Sequence, residues 1–200
     1  MNLGLKDTYR KGTRPGEWPR PLTDAEQAAI LQAAAEAGRD AHITVAAMLY
    51  VGARPLDVVN MAVYAALGDA IKLGNGFLAV PWDFKRIVVD ELHGQDITYG
   101  ERVTGNTEKE AAAAAVAAFD AAGLDTAGAW LRLRRTAAIL HHMNRWTKDS
   151  YIEDCFTETA RMPGALKDVY YNPDMEQSYN RGGITEDGAF IVPDILSNEE

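Results

Sequence analysis

Three capping boxes punctuate this chain, and they commit most of it to helix. Thr23-Asp24-Ala25-Glu26, Thr107-Glu108-Lys109-Glu110 and Ser150-Tyr151-Ile152-Glu153 each place a hydroxyl three residues ahead of a carboxylate. That spacing lets the two side chains satisfy orphan amides in a first helical turn. The first box predicts a helix from Thr23 that stops at Gly38, where a left-handed cap fits. The second opens onto Ala111–Ala122, nearly all alanine, a strong helix former that permits close helix–helix approach. The third predicts a helix closed by Pro163-Gly164. Between them, apolar residues recur at helical spacing. Val45, Met48 and Leu49 mark a helix over about 41–51, and Val58, Val59, Ala62 and Val63 mark one over about 55–67. Gly52 separates these two, and Pro55 suits a first helical position. Trp130, Leu133, Ala137 and Leu140 stripe a longer helix over about 126–146. The expectation is a mainly α fold.

Residues 76–104 read differently. Phe77-Leu78-Ala79-Val80 and Arg86-Ile87-Val88-Val89 are rich in strand-forming residues, and Asp96-Ile97-Thr98-Tyr99 offers a third short strand. Pro81 argues against a central strand, so the segment is expected to project as a β-hairpin from a helical body over 22–171. Irregular arms flank that body. Residues 1–21 hold Pro15, Pro19 and Pro21 and carry Lys6, Arg10, Lys11, Arg14 and Arg20 against Asp7 and Glu17, a net of +3. Residues 172–200 carry seven carboxylates against Arg181, a net of −6. Arms of opposite sign suit docking on a neighbouring subunit, which implies a homo-oligomer or a larger multi-protein assembly.

The 200 residues suffice for one domain with a real core. A net charge of −9 disfavours non-specific attraction to phosphate or anionic lipid. The lone cysteine, Cys155, excludes an internal disulfide and fits a reducing interior. No apolar run approaches the roughly 20 residues of a membrane span, and the first residues lack the apolar centre of a signal peptide. The expectation is a protein made in the cytoplasm and not bound to a membrane.

Short motifs spread over about 160 residues resemble the catalytic domain of tyrosine recombinases. Pro21-Leu22-Thr23-Asp24-Ala25-Glu26 and Gly52-Ala53-Arg54-Pro55-Leu56-Asp57 are similar to its opening, and Leu133-Arg134-Arg135-Thr136 to its second arginine motif. The resemblance implies that Arg54 and Arg134 grip a scissile phosphate, that Lys85 on the hairpin serves as an acid, and that Tyr179 is the nucleophile. Arginine forks suit phosphoryl oxygens and tyrosine can carry a covalent intermediate, so the chemistry is coherent. The sequence departs from the pattern at Leu131, where the family keeps a histidine, and at Tyr170, where it keeps a histidine or tryptophan. The family carries a DNA-clamping domain ahead of these motifs, and the 21 residues that lead into them here are expected to stand in its place. Around Tyr179 stand Asp174, Glu176 and Gln177, which oppose deprotonation of the phenol and approach of a phosphate.

No other chemistry gathers. His141 and His142 are adjacent and diverge by about 100° on a helix, so they cannot share a metal. There is no phosphate-binding loop, nucleophile elbow or metal-ligand spacing, so neither a cofactor nor a metal is expected. Arg10, Arg14, Trp18, Arg20, Trp82, Phe84, Tyr170, Tyr171 and Tyr179 are the candidate interface residues. The stretch Pro55–Gly68 resembles the helix that opens head–tail connector proteins of tailed phages. The first functional expectation is therefore a non-enzymatic virion neck adaptor. It would form a ring with itself and with other structural proteins, and DNA would pass it only as cargo. A recombinase-like strand-cleaving domain, active or inactive, is the alternative, with DNA as substrate.

Overall fold

The computed structural model describes residues 21–73, 76–147 and 155, together with the backbone of 183–184 and 190–191. The arms, the third capping box, and Arg10, Arg14, Trp18, Arg20, Tyr170, Tyr171 and Tyr179 lie outside the described side chains.

The architecture is mainly helical with a small antiparallel hairpin. The first helix, α1 (Asp24–Ala37), begins at the expected box: Glu26 N–H donates to the Thr23 hydroxyl at 3.2 Å and Thr23 N–H to the Glu26 carboxylate at 2.9 Å. Gly38, at φ 118°, ends it and starts α2 (Arg39–Ala46). This helix widens into a π-turn (Ala47–Val51) that closes at Gly52, left-handed at φ 71°. There follow α3 (Pro55–Val59), α4 (Val63–Leu67), strands β1 (Ala70–Leu73) and β2 (Gly76–Ala79), and then α5 (Trp82–Leu92). After a long loop come α6 (Glu108–Ala121), opened by the second capping box, and α7 (Ala129–Met143). The two-residue strands β3 (Gly183–Ile184) and β4 (Phe190–Ile191) pair with each other.

Two expectations are corrected. A single helix over 55–67 does not form: α3 ends at Val59, and Met61 and Val63 pair with the 101–103 segment through Val63 N–H to Glu101 O (2.9 Å) and Val103 N–H to Met61 O (3.0 Å). The hairpin is not built from 76–104. It consists of 70–73 and 76–79, and Arg86-Ile87-Val88-Val89 is helix. Strand propensity loses to packing here, because Phe84 and Val88, four residues apart, share one buried helical face. Pro81 marks the start of that helix as its N-cap residue, and Asp83 sits in its first turn, where carboxylates are favoured. Asp96–Tyr99 makes no strand; the loop contributes one isolated bridge, Ala62 with Arg102.

The core lies where α1, α2, α6 and α7 converge. Leu22, Ile30, Ile43, Met48, Leu49, Leu78, Phe84, Phe119 and Leu133 are fully buried. The alanine helix packs Ala111, Ala115, Ala118 and Phe119 inward, so small side chains bring its backbone close to α1–α3, as its composition implies. Polar ties seal the edges. Leu22 N–H donates to the Thr136 hydroxyl at 3.0 Å, which itself donates to Arg132 O at 2.8 Å. Arg132 lies 3.7 Å from Glu26 and over the Phe119 ring at 5.3 Å. Asp40 accepts from Gly105 N–H at 2.9 Å, and Asn106 donates to the Thr44 hydroxyl at 3.1 Å, fixing the long loop to α2.

His141 holds the hairpin to the π-turn. Its Nε2–H donates to Tyr50 O at 2.8 Å, and its Nδ1 accepts from the Thr147 hydroxyl at 3.0 Å. Thr147 in turn accepts from Ala79 N–H at 3.0 Å. Burial pushes the His141 pKa down to about 4. An unfolded histidine titrates near 6.5, so between those values the unfolded chain binds a proton that the folded one refuses. The stabilisation is complete above about pH 6.5 and falls away toward pH 4, by a total on the order of 3 kcal/mol. Urea unfolding between pH 7 and pH 4 is expected to show this loss, and His141→Asn to flatten the slope across that window.

Candidate functional site

The segments that carry the two arginines of the recombinase-like motifs adjoin. Arg134 lies on α7, and its guanidinium donates to the carbonyl of Gly52, 82 residues earlier and two residues before Arg54. The order of motifs thus corresponds to a spatial junction between the Gly52–Asp57 loop and α7.

The roles at that junction are structural in this geometry. Arg134 is 2% exposed, the largest fully buried side chain among the described residues. Arg54 forms a two-pronged pair with Asp57, Nε to Oδ2 at 2.8 Å and Nη2 to Oδ1 at 3.0 Å. Asp57 also accepts the Arg54 N–H at 2.9 Å, so the same carboxylate covers the first turn of α3. Arg135 beside it is largely buried, which lowers its pKa. Leu131 occupies the family's histidine position on the same helix.

The remaining sequence candidates scatter. Lys85 is on α5, not on a hairpin, and pairs with Asp69 at 3.2 Å. Trp82 is 74% exposed and remains an interface candidate. Phe84, two residues on, is fully buried; two residues of a helix point to nearly opposite sides, so it belongs to the core and not to an interface. His141 is a buried structural tie, and no group of three potential metal ligands occurs among the described residues.

A different surface gathers apolar side chains without burying them. A groove of about 490 Å³ runs along the whole of β1, walled on its other side by α3 and α4. Leu56 (48% exposed), Tyr64 (63%) and Phe77 (54%) line it together with Asn60 and Lys72. Large apolar residues exposed together on a water-facing surface mark a contact site more often than isolated ones do. These residues fall outside the buried stripes of the sequence. The signal was present: Leu56, Asn60 and Tyr64 repeat every four residues, off the Val59–Val63 stripe. In β2, Phe77 alternates with buried Leu78. Their common location required the hairpin to fold beside α4.

Comparison with protein families, with curated proteins and with solved structures gave no match.

Replacing Arg134 by methionine should leave the buried Gly52 carbonyl without its donor and cost about 1–3 kcal/mol. Arg54→Met, at a part-exposed pair, should cost less than about 1 kcal/mol. Chemical denaturation checks both; equal costs at the two positions would remove the structural distinction between them.

Proposed function

We propose that this chain is a non-enzymatic assembly domain that binds protein partners, copies of itself among them, through the groove beside β1. The single observation carrying this reading is the cluster of Leu56, Tyr64 and Phe77, exposed around a concave surface that follows a strand edge. The arginines support it from the other direction. Phosphoryl transfer is mainly positioning and charge stabilisation, and Arg134 and Arg54 are engaged with Gly52 and Asp57. The net charge of −9 and the carboxylates near Tyr179 add no attraction for DNA. The setting suggested by sequence, a tailed-phage neck ring with DNA as passing cargo, draws mainly on the two arms, which lie outside the described residues, and less on the stretch 55–68. That stretch is two short helices, so the groove carries the assembly reading and that segment does not.

A second reading has one observation in its favour. The Gly52–Asp57 loop and α7 adjoin, as a recombinase-like catalytic domain requires of its two arginine motifs.

Mass photometry of the full chain separates the two readings. The wild type is expected to associate at micromolar concentration. Leu56→Asp with Tyr64→Ser, both at exposed positions, should leave a monomer with unchanged helical circular dichroism. A monomeric wild type that forms a covalent adduct with nicked suicide DNA, lost in Tyr179→Phe, would replace assembly by the recombinase reading.

A further inference from the structure

The hydrogen-bond parity of the hairpin turns alternate backbone groups outward on both of its edges. The register pairs Ala70 with Ala79, Ile71 with Leu78, Lys72 with Phe77 and Leu73 with Gly76. Beyond the hairpin, Val80 N–H donates to Asp69 O at 3.0 Å. In an antiparallel ladder, bonded and non-bonded pairs alternate, so the 69/80, 71/78 and 73/76 pairs are the bonded ones. The N–H and C=O groups of Ala70 and Lys72 on β1, and of Phe77 and Ala79 on β2, therefore point outward. On β2 one of these groups, the Ala79 N–H, is taken by the Thr147 hydroxyl, and those of Phe77 have no hydrogen-bond partner among the described residues. On β1, among the described residues, the outward groups of Ala70 and Lys72 have no hydrogen-bond partner. All four residues of β1 line the groove together with Leu56, Tyr64 and Phe77.

We infer that the outer edge of β1 accepts an extended peptide from a partner protein as a third strand, with an acidic residue of that peptide against Lys72. The inference rests on the groove being the assembly surface and adds the mode of binding and the chemistry of the partner. Backbone groups recurring at every second residue, about 7 Å apart, match the backbone of another strand and not that of a helix, whose amides are internally paired. Alternation then divides the incoming side chains. One set lies on the face of β1 that carries buried Ile71 and Leu73, the apolar side of the strand. The other set stands with Lys72 and Phe77, cross-strand partners that are both exposed and that line the groove with Leu56 and Tyr64. Charge selects the residue on that side. Asp57 is paired with Arg54, and Asp69 with Lys85. Lys72 has no ion-pair partner among the described residues, so it is the charge left for an incoming carboxylate. A lone exposed cation is too little for a nucleic-acid strand, which needs a row of them.

The test uses the full chain and a fluorescein-labelled seven-residue peptide of alternating valine and glutamate, followed by fluorescence anisotropy. Saturable binding is expected. Two N-methylated versions locate the backbone bonds, one methylated at the valines and one at the glutamates. Only one set of amides faces β1, so one version should lose at least about tenfold in affinity, the value of one backbone hydrogen bond near 1.4 kcal/mol, and the other should change little. Lys72→Glu, at an exposed position, should weaken the glutamate peptide and favour a valine–lysine one. Absence of binding, equal loss from both methylations, or indifference to Lys72→Glu would overturn the strand-addition mode. If association of the wild type still fails in Leu56→Asp with Tyr64→Ser while no peptide binds, the assembly surface stands and only the strand mode falls. If the peptide binds with the expected parity but that double variant still associates, the strand site stands and the assembly reading falls.

Discussion

A helix that ends inside a protein must find donors for its last carbonyls, and here α7 supplies them to the π-turn. The π-turn closes at left-handed Gly52, leaving C-terminal carbonyls without intrahelical partners. Arg134 donates to Gly52 O and His141 to Tyr50 O. The two donors are seven residues apart on α7, two helical turns, and so project from one face. One side chain brings a positive charge to the negative end of the α2/π helix, and the other brings a neutral imidazole. The placement of the Gly52–Asp57 loop, the start of α3 and the anchoring of the hairpin through Thr147 all follow from this docking.

That arrangement explains how a motif order suited to phosphate chemistry can coexist with an acidic chain. A buried arginine is costly unless its hydrogen bonds are made, and removing one partner exposes the full cost. Arg134 donates to a buried backbone carbonyl, an engagement that needs no substrate. Arg54 and Asp57 likewise do the work of a helix cap.

The hairpin is treated asymmetrically. Two short strands on a helical body have two edges, and exposed edges invite pairing. On β2, the outward Ala79 amide is covered by Thr147, held in turn by His141. On β1 the edge opens onto a groove with three large apolar residues on its rim. One outward amide of β2 is thus occupied, while the outward groups of Ala70 and Lys72 on β1 have no partner among the described residues.

What the sequence determined by itself is local. The capping boxes at Thr23 and Thr107, the stop at Gly38, the break at Gly52 and the alanine face of α6 are all properties of a few adjacent residues, and each stands where it was read. The mainly helical class follows from them. Where competing local preferences were close, only tertiary packing decided. Ile87, Val88 and Val89 favour a strand, yet burying Phe84 with Val88 made 82–92 a helix and moved the hairpin to 70–79. Val58–Val63 carries a helical stripe, yet pairing with residues 101–103 broke it at Asn60–Ala62. The meeting of Arg134 with Gly52 and the open edge of β1 were not legible either. Both depend on contacts between segments distant along the chain, and no spacing within a single segment encodes which carbonyl a remote guanidinium will reach or which strand edge a loop will leave uncovered.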